Sequence, residues 1–153
     1  VYMLRDNNLK KHNRISKQIY LKTAFALYIL SVFWLTLFNR EPKTRRHKLN
    51  EPFWEYIGLV QGDRQWYFFG QIFGNILMLI PLGIFLPLLF KSYRNALKVT
   101  MTGMLFSVII EVTQYITGLG LCEFDDVFNN TLGALIGYDI YMIFNNANHS
   151  GIN

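Results

Sequence analysis

The residues able to do chemistry are few, and they stand where the surrounding sequence is apolar. Glu111 is the only charge in residues 99–121, with Gln114 three positions on. Asp125 and Asp126 open the next apolar run, and Asn130 lies one helical turn beyond Asp126. Gln71 and Asn75 are four apart in the run 65–90 and share a helix face. Carboxylates and carboxamides in this pattern can accept hydrogen bonds, titrate a proton or ligate a hard divalent cation. Other standard sites are absent from the sequence: it has no Gly-rich phosphate loop, no nucleophile elbow and no His pair at metal spacing. His12, His47 and His149 are scattered through polar tails and a loop.

An acid in mid-bilayer costs ~2.5–3.5 kcal/mol on insertion scales, so Glu111 needs a reason to be there. On a helix Gly103, Ser107, Glu111, Gln114 and Gly118 fall within about 80° of the circumference, a small-and-polar stripe that must face protein or water. Asp126, Asn130, Gly133 and Gly137 form a second stripe within about 60°. Gly74, Gly83, Gly133 and Gly137 are the expected helix-packing positions, together with Pro81.

The elements that must carry these stripes are uncharged runs at 19–38 (Lys22 excepted), 65–90, 99–121 (Glu111 excepted) and 127–144 (Asp139 excepted). Each is long enough to cross a hydrocarbon core of roughly 30 Å. Helices of a soluble bundle would show a polar face every 3.6 residues, and residues 76–90 have none. The expected fold is therefore all-α: a polytopic membrane protein with a four-transmembrane-helix bundle. Residues 1–18 make a basic cytoplasmic segment, 19–144 the membrane domain and 145–153 a polar tail. The first run lacks an Ala-x-Ala site and follows a long polar lead, so it is expected to be retained rather than cleaved. Pro81 and Pro87 imply a kink or a break in the second span. Trp66, Tyr67, Phe90, Tyr93 and Tyr141 lie near span ends, as interfacial rings do.

The averages agree once they are divided this way. The chain has 153 residues, 52% of them hydrophobic and 16% charged, with a formal charge of +5 and a mean hydropathy of only +0.19. That composition excludes a disordered chain and a collagen, and a single cysteine, Cys122, excludes an internal disulfide framework. The positive charge reads as topology rather than nucleic-acid binding, since no basic face on a folded module is in sight. Nine Lys and Arg in the segments on the N-terminus's side of the membrane (Arg5, Lys10, Lys11, Arg14, Lys17, Lys22, Lys91, Arg94 and Lys98), against six in residues 39–65, place both termini in the cytoplasm. The cluster Arg45-Arg46-His47-Lys48 dissents. With span two starting outside, Asn75 and Glu111 lie at roughly 14 and 15 Å depth, and Gln71 and Gln114 at roughly 8 and 10 Å. A polar pocket between spans two, three and four, opening outward past Asp125 and Asp126, is the expectation. The plainer reading is a set of interhelical hydrogen bonds, worth about 0.6 kcal/mol each.

These residues carry a family resemblance. Gly74-Asn75-Ile76-Leu77-Met78-Leu79-Ile80-Pro81-Leu82-Gly83 resembles the Asn-x5-Pro-x-Gly signature of VanZ-like bacterial membrane proteins, and Glu111-Val112-Thr113-Gln114 resembles their Glu-x-x-Gln. Residues 125–137 are similar to the family's Asp-Asp-x3-Asn-Thr-x-Gly-x3-Gly, and Asn50-Glu51-Pro52-Phe53 to its Asn-Leu-x-Pro-Phe, one residue shorter. The four motifs stand in order across residues 20–144. The Arg often found shortly before the acidic pair has no counterpart among residues 118–122, leaving Arg64 or the basic loop to replace it.

The resemblance implies a protein of the bacterial plasma membrane, and its namesake is linked to low-level resistance to the glycopeptide teicoplanin. The first expectation is accordingly an envelope protein that meets membrane lipids and engages a lipoglycopeptide antibiotic or a lipid-linked wall precursor. Its candidate contacts are Asn75, Glu111, Gln114, Asp126, Asn130, Gln71 and Asp125, with no cofactor and no resident metal. Two alternatives stay open. One is an enzyme acting on a lipid phosphate or glycolipid, with Mg²⁺ on Glu111, Asp125 and Asp126. The other is a proton-coupled carrier titrating Glu111, which at four spans would require a homo-oligomer.

Overall fold

Uncharged sequence without a polar face can satisfy its backbone in lipid only as helix, each amide finding its acceptor one turn back. Every regular element among the described residues is helical. The structure, a computed structural model, describes residues 2–38, 52–62, 64–120 and 122–150, with side chains within 15–147. Its helices are α1 (Tyr2–Phe33), α2 (Trp54–Gln61), α3 (Gln65–Leu89), α4 (Ala96–Thr117) and α5 (Phe124–Ser150). A π-helical turn, Trp34–Phe38, extends α1, and a 3₁₀ turn, Lys91–Tyr93, follows α3. Arg45, Arg46, His47, Lys48, Asn50 and Glu51 lie outside the described residues, as do the side chains of residues 1–14.

Three helical stretches are long and apolar enough to cross a membrane: Ile15–Phe38, Gln65–Leu89 and Ala96–Thr117. The chain is thus an all-α, polytopic membrane protein. The fourth expected span, α5, is not among these three. α5 has the length, 27 residues, but the acids and amides of its buried face dilute its apolar content. The stretch 39–65, expected as a loop carrying six Lys and Arg, holds α2, because residues 53–60 are apolar apart from Glu55. α3 runs unbroken through Pro81 and Pro87: each proline removes one backbone donor, and the helix continues past both.

α5 is the central helix, laid along α3 and α4, with α1 against α3. Glycine sets the approach. A Cβ on Gly137 would fall on the Ile80 carbonyl oxygen, one on Gly133 on the Ile76 carbonyl, and one on Gly83 on the Ala134 carbonyl. Gly103 on α4 makes the same room for the Ala134 methyl. Gly74 does not belong with them: it is exposed, and an added Cβ there meets nothing within 4 Å. Leu79, Leu82, Leu86, Val99, Ala134, Tyr138 and Tyr141 form the core. Tyr141 is therefore a core residue rather than an interfacial ring, whereas Trp66 is 86% exposed. α1 joins through Phe25 and Tyr28, whose rings lie 5.7 and 6.0 Å from Phe85, and the Tyr28 hydroxyl donates to the Met78 carbonyl at 2.8 Å.

α4 has defined ends. The Asn95 side chain accepts from the Lys98 amide at 3.1 Å, and Gly118, at φ 73°, closes the helix with its amide on the Gln114 and Tyr115 carbonyls. Asn95→Ala is expected to lower stability by about 1 kcal/mol, and Asn95→Asp to leave it unchanged. Thermal unfolding in detergent micelles reads the difference.

Candidate functional site

The first turn of a helix exposes unpaired amides and favours negative charge, and α5 places Asp125 and Asp126 there. Asp125 is fully buried. Its Oδ1 accepts the Phe53 amide at 2.5 Å and its Oδ2 the Glu55 amide at 2.9 Å. One carboxylate therefore caps the start of α2 from another helix. Phe53 adopts a left-handed conformation, φ 65°, that L side chains rarely take. Its ring sits against Phe124 and Phe128, at 5.4 and 5.5 Å. One turn along α5, the buried Asn129 donates through Nδ2 to Glu55 Oε2 at 3.3 Å and accepts the Tyr56 hydroxyl.

The other stripe residues meet below this cap. Asn75 Nδ2 donates to Asp126 Oδ1 at 2.6 Å. Glu111 Oε2 accepts the Glu123 amide at 3.1 Å, so the acid in α4 ties down the α4–α5 connection. Asn130 Nδ2 donates to Ser107 Oγ at 2.8 Å. Gln114 Nε2 donates to the Thr36 carbonyl at 2.9 Å. That carbonyl belongs to the π turn, whose altered ladder leaves acceptors for partners outside the helix. Among the described residues, Asn130 Oδ1 and Gln114 Oε1 are buried acceptors without a hydrogen-bond partner, and Trp54 Nε1 a donor without one.

Asn75, Glu111, Gln114, Asp125, Asp126 and Asn130 thus gather at the end of the bundle where α4 stops and α5 begins. Gln71 is not among them. It is exposed and donates to the Tyr67 hydroxyl on its own helix at 3.0 Å. Four helical residues rotate by about 40°, enough to carry Gln71 off the face that Asn75 turns to Asp126. The outward-opening pocket also changes character. Glu111, Gln114 and Asn130 are each no more than 2% exposed and hold backbone or side-chain partners, so the cluster is packed; Asn75, Cys122 and Glu123 form its partly exposed rim. Arg64 is exposed at the start of α3.

The acids that meet are not the expected set. Asp125 is engaged by the α2 amides, and the carboxylates that come together are Glu55, Glu123 and Asp126, with one oxygen of each within 4.8 Å of the others. Like charges this close are not all ionised unless a cation lies among them. Glu55 lies outside the long apolar helices and is 1% exposed. Burial, then the charges of Asp126, Glu123 and Asp125, push its carboxyl up to about 8. Burial and the neighbouring Glu111, Asp126 and Glu123 also raise the Cys122 thiol.

Glu55, Tyr56, Asn129 and Thr36 escaped the sequence reading. Asn129 had a usable signal: it stands four residues after Asp125 just as Asn130 stands four after Asp126. Glu55 had one too, as the lone acid of an apolar octet. The Thr36 carbonyl had none, since backbone atoms carry no residue code.

The fold and this cluster define a small helical membrane protein whose polar residues are gathered, buried, at one end of its bundle. The chain belongs to the VanZ/LLP1 family, whose model matches residues 25–145. It is similar to Protein VanZ of Enterococcus faecium, with 27% identity over 127 residues that cover 78% of this chain and 72% of that protein. No solved structure matches it.

Proposed function

We propose that the chain lowers the sensitivity of a bacterial envelope to lipid-tailed glycopeptides of the teicoplanin type, acting at the outer face of the plasma membrane. The observation that carries this reading is the buried cluster of acids and amides at one end of the bundle, with two amide oxygens free to accept. Such a site suits a group rich in N–H and O–H donors or carrying positive charge. A glycopeptide offers amides, hydroxyls and amines, while its lipid tail lies in the same bilayer as α3 and α4. A lipid-linked wall precursor would bring phosphate to Glu55, Glu123 and Asp126, which repel it. Of the two expected ligands, the drug is the better match. On this reading the cluster faces outward and both termini face the cytoplasm.

Cells carrying the intact gene should tolerate more teicoplanin than cells without it, and gain no tolerance to a glycopeptide lacking the lipid tail. Glu111→Ala, at equal membrane abundance, should return teicoplanin tolerance to that of cells lacking the gene, because it frees the Glu123 amide and unties the α4–α5 connection. Undiminished tolerance in the variant overturns the cluster's role.

A further inference from the structure

We infer that α2 is an interfacial helix, lying along the membrane surface with its Ile57–Val60 face immersed among the acyl chains of the bilayer. The two residues are three apart and share a helix face, while Glu55 lies about 140–160° round from both. The exposures follow the same division: Ile57 is 50% exposed and Val60 77%, against 1% for Glu55. A helix on the surface of a soluble protein turns its polar side to water and its apolar side to the core. α2 is the reverse. Its carboxylate points into the protein, where Asn129 holds it, and the side left outside is apolar.

Two contacts set the level at which α2 lies. Trp54 stands 5.4 Å from Phe68, and a Cβ on Gly58 would fall on the same Phe68 ring. Phe68 belongs to the first turn of α3, which begins at Gln65. Phe53 packs on Phe124 and Phe128, in the first two turns of α5. The first turn of a span sits at headgroup level, where the exposed Trp66 also lies. With eight residues, α2 is about 12 Å long, too short to cross and suited to lying in the boundary between headgroups and acyl chains.

The occupant of the outer face follows from its continuity with a face already in lipid. Phe69, Phe73 and Leu77 are exposed along α3, a helix long and apolar enough to cross the membrane. The apolar surface passes from Phe69 through the half-buried Phe68 and Trp54 onto α2, and from Phe53 to the exposed Phe124 and Phe128 on α5. A second copy of the chain is a poorer fit than lipid. Helices meet in membranes through small residues, and the glycines of this segment, Gly58 and Gly62, are turned to Phe68. Ile57 and Val60, which face outward, are branched. The inference goes beyond the proposed function: it concerns where α2 lies, not what the cluster binds, so either can fail without the other.

The unmodified full chain, reconstituted in phosphatidylcholine–phosphatidylglycerol vesicles whose acyl chains carry a photoactivatable diazirine, gives the first test. Crosslinks are expected within residues 53–60 as well as within 66–77 of α3; crosslinks confined to α3 overturn the inference. Nitroxides on Ile57→Cys and Val60→Cys, each in a Cys122→Ser chain, give the second. Each should lose most of the collision with a water-soluble nickel chelate that a label on Ser92→Cys, in the 3₁₀ turn, retains. Each should keep its collision with oxygen, as a label on Phe73→Cys in α3 does. Strong chelate collision at either position places the face in water and overturns the inference. A label shielded from both reagents places protein over the face, as a second copy would, and overturns it equally.

Discussion

Gly137→Ala is expected to lower the unfolding temperature of the detergent-solubilised protein by about 10 °C, from a loss of about 3 kcal/mol. Gly74→Ala should leave it level or raise it slightly. Alanine is favoured over glycine in a helix interior by up to ~1 kcal/mol, so local preference alone predicts a gain at both positions. At Gly74 nothing lies within 4 Å of the new methyl, and the preference stands. At Gly137 the methyl lands on the Ile80 carbonyl oxygen, with the Gly83 Cα at 3.0 Å behind it. Both are backbone atoms, so no rotamer change relieves the clash, and α5 must move away from α3. Lipid supplies no hydrophobic force to press helices together, and the close approach lost is much of what holds them. A Gly137→Ala protein as stable as wild type would mean that α3 and α5 do not meet at this register.

Asp125→Ala should release α2 while leaving the long helices in place. The carboxylate accepts two amides, at 2.5 and 2.9 Å, with no solvent exposure. Hydrogen bonds to a charged group are worth about 1.5–3 kcal/mol each, and removing the acceptor leaves its donors to find water. A loss of about 3 kcal/mol corresponds to roughly a hundredfold in the docking equilibrium of α2. Asp125→Asn keeps one acceptor oxygen and should fall between. The measurements are exchange protection over residues 54–61 and proteolytic cutting there, with far-UV circular dichroism to confirm that the helices persist. Unchanged protection of α2 in Asp125→Ala would remove the cap from the account of this site.

These two residues also show how far each level of description reaches. Gly133 and Gly137 were marked as packing positions by their four-residue spacing, and the structure puts both against α3 backbone. Gly74, also expected to pack, faces outward. Spacing establishes that two residues share a face; it does not say what that face meets. Asp125 and Asp126 look equivalent as a pair. In the fold they divide, Asp125 capping α2 and Asp126 taking the Asn75 amide.

The amino-acid sequence alone determined that the chain is helical, that it belongs in a membrane and that its polar residues lie on narrow stripes. All three follow from period and hydropathy, which act within a single helix. It also placed four motifs in order along the chain. Only the tertiary structure decided that they converge, with Phe53 of the first bonded to Asp125 of the last, Asn75 bonded to Asp126, and Glu111 bonded to the Glu123 amide. The same holds for Glu55, which a reading by hydropathy leaves in a polar loop and the fold buries among three carboxylates. The reason is physical. A helix face is a local property of spacing, whereas burial and charge depend on which distant elements arrive beside it, and here those partners stand between 12 and 72 residues away.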